Sequence, residues 1–108
     1  KVTIFSERVN GKFVLRRDFK IEKNSKVLIV EDVITTGKSS LECSMLIRDA
    51  KAEIVAYACL IDRSNGKSKL DKKIVSQIEI NIETFTKDNL PDYLKSIPAI
   101  KPGSRELK

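Results

Sequence analysis

Histidine and tryptophan are absent from this 108-residue chain, and only two cysteines are present. Without histidine, a Ser-His-Asp triad, a histidine metal site and an HExxH helix are all excluded. Proton transfer would have to use Asp, Glu, Lys or Tyr side chains or groups of a substrate. No apolar run approaches the roughly 18 residues that span a bilayer. Cys43 and Cys59 lie among apolar residues without CxxC spacing, which favours buried free thiols in a reducing, cytoplasmic compartment.

Positive charge is concentrated at the start of the chain. The net charge is +6, and residues 1–26 hold eight Lys or Arg residues against three acids. Such a segment fits an anionic partner, which could be a phosphate-rich small molecule, nucleic acid or a membrane surface, or it is simply a solvated surface. The length suits one domain. Because the chain opens on Lys1 in an apolar run, we expect it to be part of a longer protein.

Short apolar runs alternate with polar turns along the chain. Asn10-Gly11 is a strong hairpin signal, and the capping box Ser39-x-x-Glu42 predicts the start of a helix. Strand, helix and strand with short links predict an α/β fold with a parallel sheet and a right-handed βαβ unit. The predicted strands cover residues 2–5, 13–15, 27–30, 54–61 and 74–82. A second helix is predicted within residues 88–97, followed by a tail at residues 98–108.

The richest segment is residues 27–40, VLIVEDVITTGKSS. A buried strand runs into Glu31 and Asp32, and ligands of open α/β sheets bind at this carboxyl end of the strands. Adjacent carboxylates can accept hydrogen bonds from a sugar diol or ligate Mg²⁺ directly or through water. The following loop, with Gly37 and Lys38 before a helix N-terminus, favours a phosphate. A ligand carrying both a diol and a phosphate would fit.

Two other motifs resemble parts of this segment. Gly37-Lys38-Ser39 matches the end of a Walker A loop, but that motif requires glycine where this chain has Asp32, so we reject it. The run that ends in Glu31 and Asp32 also resembles the start of a response-regulator receiver domain, with Asp62 placed as its phosphorylated residue. A receiver needs further strands and helices that the remaining residues hardly supply.

The same segment resembles the phosphoribosyl pyrophosphate (PRPP) signature of the type I phosphoribosyltransferases: an apolar strand, two acids, two small or apolar residues and T-T-G-x-S. The segments FSERVNGKFVLRR, CLIDRSNGK and IPAIKPGSR resemble the orotate phosphoribosyltransferases. The resemblance covers nearly the whole chain and the C-terminal part of that family. It implies a Rossmann-like parallel sheet with flanking helices plus a basic β-hairpin loop, with the N-terminal part of the fold absent.

The resemblance divides the chain into three parts of a single domain. Residues 1–26 would form a basic hairpin or mobile loop, and residues 27–62 a PRPP-binding βαβ core. Residues 63–108 would form an orotate-contact turn, an edge strand and a C-terminal tail. The implied reaction transfers the phosphoribosyl group of PRPP to orotate, giving orotidine 5′-monophosphate and pyrophosphate in UMP biosynthesis.

The resemblance also assigns roles to residues. Glu31 and Asp32 would hold the ribose hydroxyls, and with Arg8 and Lys12 they form the predicted catalytic set. Arg16 and Arg17 are further candidates for the pyrophosphate, although the loop histidine of the family is missing here. Orotate would contact Thr35 and Arg63. The predicted PRPP-binding residues are Glu31, Asp32, Val33, Ile34, Thr35, Thr36, Gly37, Lys38 and Ser39, where Lys38 replaces the more usual Gly or Thr.

The implied cofactor is Mg²⁺ carried by PRPP, with no direct protein ligand and contact through water to Glu31 or Asp32. A homodimer is implied for the full-length protein, and the chain alone could be inactive. No nucleic-acid or membrane partner is expected. Two alternatives stay open from the same fold: a phosphoribosyltransferase for another base, and a PRPP-binding regulator.

Overall fold

The computed structural model describes residues 1–16 and 18–100. Arg17 and most of the predicted tail, residues 101–108, lie outside the described residues. Among the described residues, every helix is too short or too polar to span a bilayer. The elements in chain order are β1 Ser6–Val9, β2 Lys12–Leu15, β3 Lys26–Ile34, α1 Lys38–Asp49, β4 Glu53–Asp62, β5 Ile74–Glu79, a 3-10 turn Lys87–Asn89 and α2 Asp92–Lys95.

The predicted basic hairpin is confirmed, but its first strand is displaced. β1 and β2 pair antiparallel around Asn10 and Gly11, whose φ angles of 49° and 80° suit a two-residue primed turn. The strand predicted at residues 2–5 is wrong, because so short a turn fixes the pairing immediately beside it, from Ser6 opposite Leu15. The Ser6 hydroxyl lies 3.5 Å from Sγ of Cys43, so the hairpin packs on α1.

The predicted parallel sheet is confirmed. Its order is β3-β4-β5, and both pairings are parallel. Successive side chains of a strand point to opposite faces. One face packs with α1 around a core that contains Ile29, Ile34, Ile47, Ile54, Tyr57 and Cys59.

Helix α1 begins earlier than the sequence predicted. Its N-cap is Gly37, whose φ of 78° places it in the left-handed region and which has no side chain to cap the helix. The predicted capping box is therefore wrong: Ser39 lies in the first turn, and Glu42 bonds to Arg8 of the hairpin instead. The predicted second helix is reduced to the single turn α2, which follows Pro91.

Candidate functional site

The carboxyl end of β3 and the N-terminus of α1 enclose one small cavity. Residues 33–39, which we call the anion loop, connect the acid pair to the helix within a few residues. The cavity has a volume of about 130 Å³. It therefore gathers a carboxylate, hydroxyls and helix-end amides around one volume. Its lining residues are Glu31, Val33, Ile34, Thr35, Thr36, Gly37, Lys38, Ser39 and Ser40.

The electrostatics of the anion loop favour a negatively charged group. The first amides of a helix lack intrahelical partners and carry the positive end of the helix dipole. Within the described residues, the first turn of α1 holds no acidic side chain. The Thr36 hydroxyl accepts a hydrogen bond from the backbone N–H of Lys38 at 3.3 Å. The Lys38 side chain is 79% exposed, so its ammonium can reach an anion at the rim of the cavity.

The two carboxylates of the acid pair are placed differently. Glu31 is half-buried, and its Oε1 accepts a hydrogen bond from the hydroxyl of Ser40 at 2.9 Å. Asp32 is exposed, and its Oδ1 accepts from the backbone N–H of Val33 at 2.7 Å. Because β3 continues to Ile34, neighbouring side chains leave opposite faces of the strand. Glu31 consequently lines the cavity, and Asp32 does not.

The hairpin reaches the cavity rim through Glu42. Arg8 Nη2 donates to Glu42 Oε2 at 2.5 Å, and the second carboxylate oxygen of Glu42 lies 3.9 Å from Nζ of Lys38. Arg8 is also held within the hairpin, by a 2.8 Å hydrogen bond to the Gly11 carbonyl and by the ring of Phe13 at 4.5 Å. Arg8 is thus connected to the site, whereas Lys12 is exposed on β2.

Arg63 follows β4 and is joined to the anion loop by its backbone. Its N–H donates to the carbonyl of Ile34 at 2.8 Å. The Nε of its guanidinium is buried and has no hydrogen-bond partner among the described residues. A second cavity, of about 390 Å³, opens beside it at the ends of β4 and β5. That cavity is lined by Asp62, Asn65, Gly66, Glu79, Ile80 and Asn81.

Two residues near the site, Ser40 and Leu70, could not be predicted from the sequence. Ser40 is 1% exposed and carries the hydrogen bond to Glu31, but a serine inside a predicted helix gives no functional signal. Leu70 lies against Gly37 although 33 positions separate the two residues in the chain. Hydrophobic periodicity reports local structure only, so this contact had no sequence signal.

A hydrogen bond between Tyr57 and Asp71, next to the core, anchors the connection between β4 and β5. The Tyr57 side chain is fully buried, and its hydroxyl donates to Asp71 Oδ1 at 3.1 Å. Arg48 of α1 donates to the other oxygen at 2.6 Å. Burial raises the pKa of the Tyr57 hydroxyl, and the hydrogen bond to Asp71 raises it further. Burial likewise raises the pKa of the Cys59 thiol, with a smaller contribution from the charge of Asp62.

The carboxylates do not assemble into a protein metal cage. Within residues 1–16 and 18–100, no group of three or more His, Cys, Asp or Glu side chains is placed to hold a metal ion. Of the acid pair, Glu31 lines the cavity, and Asp32 does not. Mg²⁺ keeps several waters and commonly binds through one or two carboxylates plus substrate phosphates. The donor set therefore fits an ion that arrives on a phosphorylated ligand.

The family model that matches this chain and two of its curated relatives are all of phosphoribosyltransferases. The family model for the phosphoribosyl transferase domain matches residues 2–93. Orotate phosphoribosyltransferase of Parvibaculum lavamentivorans is 48% identical over 96% of this chain and 54% of its own length. That of Caldicellulosiruptor saccharolyticus is 48% identical over 98% of this chain and 56% of its own. The chain thus spans about half the length of these curated relatives.

Among solved structures, the chain is similar to adenine phosphoribosyltransferase from Thermoanaerobacter pseudethanolicus. The TM-score is 0.56 at 19% identity, over 74% of this chain and 49% of that one. At this identity the likeness concerns the fold alone. It agrees with the fold class expected from the sequence.

Proposed function

Because this chain belongs to the phosphoribosyl transferase family, we propose that it forms the PRPP-binding part of an orotate phosphoribosyltransferase. The proposed reaction breaks the bond between C1′ of PRPP and its pyrophosphate oxygen and forms a bond from C1′ to a ring nitrogen of orotate. The products are orotidine 5′-monophosphate and pyrophosphate. The observation that supports this most is the cavity that brings Glu31 together with the N-terminus of α1.

The two ends of this cavity suit the two ends of a ribose phosphate. The 5′-phosphate would accept hydrogen bonds from the backbone amides at the start of α1 and from the hydroxyls of Thr35, Thr36 and Ser39. Glu31, fixed by Ser40, would accept a hydrogen bond from a ribose hydroxyl. Asp32, on the other face of β3, would hold the second hydroxyl once the ribose lies across the end of the strand.

The base would bind beyond the anion loop, near Arg63 and Thr35. A guanidinium binds a planar carboxylate with two parallel hydrogen bonds, and orotate carries such a carboxylate. The Nε of Arg63 is buried and has no hydrogen-bond partner among the described residues, and we propose that the carboxylate of the base supplies one. Thr35 lines the cavity, and we propose that its hydroxyl contacts the base as well.

Departure of pyrophosphate would leave positive charge at C1′, as in glycoside cleavage. Cations directed at the leaving group stabilise the negative charge that develops there. Arg8 and Lys12 of the hairpin are our candidates, and Arg8 is already connected through Glu42 to Lys38 at the cavity rim. Mg²⁺ bound to the phosphates of PRPP would neutralise part of the same charge, with water between the ion and Glu31 or Asp32.

We also propose that the reaction takes place in the cytoplasm. We propose further that the full-length protein is a homodimer in which the hairpin of one subunit serves the site of the neighbouring subunit. The free thiols of Cys43 and Cys59 are typical of a reducing compartment. The β1–β2 hairpin forms its own two-stranded sheet and does not pair with β3, β4 or β5, and we propose that it moves over the site.

A turnover assay with competing bases tests the proposal. The complete gene product is incubated with PRPP, Mg²⁺ and either orotate, uracil, adenine or hypoxanthine, and pyrophosphate release is measured. We expect release with orotate at least tenfold faster than with any other base. Release with another base only would indicate a phosphoribosyltransferase of different specificity. PRPP binding without turnover of any base would indicate a regulator.

A further inference from the structure

The connection between β4 and β5, residues 63–73, contacts the anion loop at two points. Near its start, the Arg63 N–H donates to the Ile34 carbonyl at 2.8 Å. Near its end, Leu70 lies against Gly37. A Cβ placed on Gly37 would be 2.9 Å from Cγ of Leu70 and 3.3 Å from both of its Cδ atoms. The Leu70 side chain therefore occupies the space directly beside the Gly37 backbone.

Leu70 is itself firmly supported. Its half-buried side chain packs against the hydrophobic core formed by α1 and the sheet. The next residue, Asp71, accepts hydrogen bonds from the buried Tyr57 hydroxyl at 3.1 Å and from Arg48 at 2.6 Å. These contacts attach this part of the connection to both β4 and α1. Leu70 therefore packs between the core and Gly37, the one residue of the anion loop with a left-handed backbone.

The position of Gly37 determines how the helix-end amides are aimed. Gly37 is the N-cap of α1, and its φ of 78° sets the angle at which the anion loop enters the helix. Hydrogen bonds weaken steeply when donor and acceptor are misaligned. Without the Leu70 side chain, the backbone at Gly37 could relax into the space left behind, and several amides would lose their common direction.

We propose that Leu70 is a positioning residue for phosphate binding. It contacts no ligand and acts by holding Gly37 so that the amides of the anion loop point at one phosphate group. This rests on the proposed function, since it assumes that the loop binds the 5′-phosphate of PRPP. It adds a residue from outside the signature segment to the PRPP site, and it connects that site to the segment that carries Arg63.

The test uses isothermal titration calorimetry to compare the Kd for PRPP between wild type and variants of the complete gene product. We expect Leu70→Ala to raise the Kd for PRPP about tenfold, the effect of losing roughly one charged hydrogen bond. Leu70→Met fills a similar volume and should restore the Kd to within about threefold of wild type. Lys72→Ala, an exposed change two residues away, should leave the Kd unchanged. Leu70→Val replaces the alanine variant if that variant fails to fold.

Two further measurements separate positioning from a general loss of structure. Steady-state kinetics of Leu70→Ala should show a raised KM for PRPP and an unchanged KM for orotate. Amide chemical shifts of the free protein should move at Gly37, Lys38 and Ser39. If wild type binds PRPP and turns over orotate while Leu70→Ala binds PRPP equally well, the positioning role is overturned and the proposed function stands. If wild type does not bind PRPP, both are overturned.

Discussion

Arg8 of the hairpin donates a hydrogen bond to Glu42 of α1 at 2.5 Å, and this ion pair connects the basic hairpin to the helix that begins at the anion loop. The pair is partly exposed, with 41% of the Arg8 side chain and 27% of the Glu42 side chain accessible. Pairs of this kind contribute about 0.2–1 kcal/mol. This ion pair therefore adds only a small part of the stability with which the hairpin packs on α1.

We expect Glu42→Gln to loosen the hairpin without unfolding the protein. Loss of up to about 1 kcal/mol increases the population of the open hairpin by up to about fivefold. Limited proteolysis with trypsin, which cuts after Arg8 and Lys12, should accelerate by the same factor. Glu7→Gln is the matched control because Glu7 pairs with Arg16 inside the hairpin, at 3.6 Å. Equal cleavage rates for Glu42→Gln and wild type would show that this pair does not hold the hairpin.

The acid pair gives a prediction about the ribose. Asp32→Asn keeps the shape of the side chain but removes its charge, and hydrogen bonds to charged groups contribute about 1.5–3 kcal/mol. We expect kcat/KM for PRPP to fall about 10- to 150-fold in steady-state kinetics of the complete gene product. Asp92→Asn, an exposed change in α2, should behave as wild type. Near-normal turnover of Asp32→Asn would remove Asp32 from the site.

Gly37 offers a test of the close packing beside the anion loop. Gly37→Ala and Gly66→Ala both place a side chain at positive φ, 78° and 71°, which costs about 1–2 kcal/mol. Only at Gly37 does the new Cβ meet another residue, at 2.9 Å from Leu70, whereas Gly66 faces open space. The overpacking should cost about 1–3 kcal/mol more.

Urea denaturation of the two glycine variants isolates that difference, because the backbone strain is common to both. We expect the free energy of unfolding to fall further in Gly37→Ala than in Gly66→Ala. Equal losses would mean that Leu70 moves aside at no cost, and that the packing beside the loop is looser than the structure indicates.

Much of the fold could be predicted because its signals are local. A continuous apolar run marks each of the strands β3 and β4, and Asn10-Gly11 determines the hairpin turn by its own backbone preference. The anion loop was predictable for the same reason, since acids, hydroxyls and Gly37 follow one another within a few residues.

The errors arose where a distant residue or a backbone angle decides the structure. The capping box at Ser39 was plausible locally, but Gly37 at positive φ starts the helix two residues earlier. The strand predicted at residues 27–30 was too short, because β3 continues beyond Asp32 to Ile34. The contact of Leu70 with Gly37 depends on the connection after β4, which no local pattern describes.

Arg63 gives a prediction about the base. Arg63→Ala should raise the KM for orotate by about 10- to 150-fold, since a charged hydrogen-bonded contact contributes about 1.5–3 kcal/mol, and should leave the KM for PRPP close to wild type. Arg63→Lys should give a KM for orotate between those of wild type and Arg63→Ala, because lysine cannot form two parallel hydrogen bonds. Lys67→Ala, an exposed change in the same connection, serves as the control. Unchanged orotate kinetics in Arg63→Ala would place the base elsewhere.

Tyr57 gives a prediction about pH. Its hydroxyl is buried and bonded to Asp71, and both effects raise its pKa above the ordinary value of 10.0. Between that value and the raised one, the unfolded state releases the proton and the folded state keeps it. The unfolded state then binds fewer protons, so the contribution of Tyr57 to stability is complete below pH 10 and is lost as the pH rises through this window.

Tyr57→Phe should therefore be less stable than wild type at pH 8 by about 0.5–1.5 kcal/mol, the net value of a typical hydrogen bond. The difference should shrink above pH 10, because phenylalanine has no proton to lose while the wild type weakens. Urea denaturation at pH 8, 9, 10 and 11 measures this. Tyr93→Phe is the control, since Tyr93 is 68% exposed. A difference between wild type and Tyr57→Phe that stays constant across this pH range would contradict the role given to the buried hydroxyl.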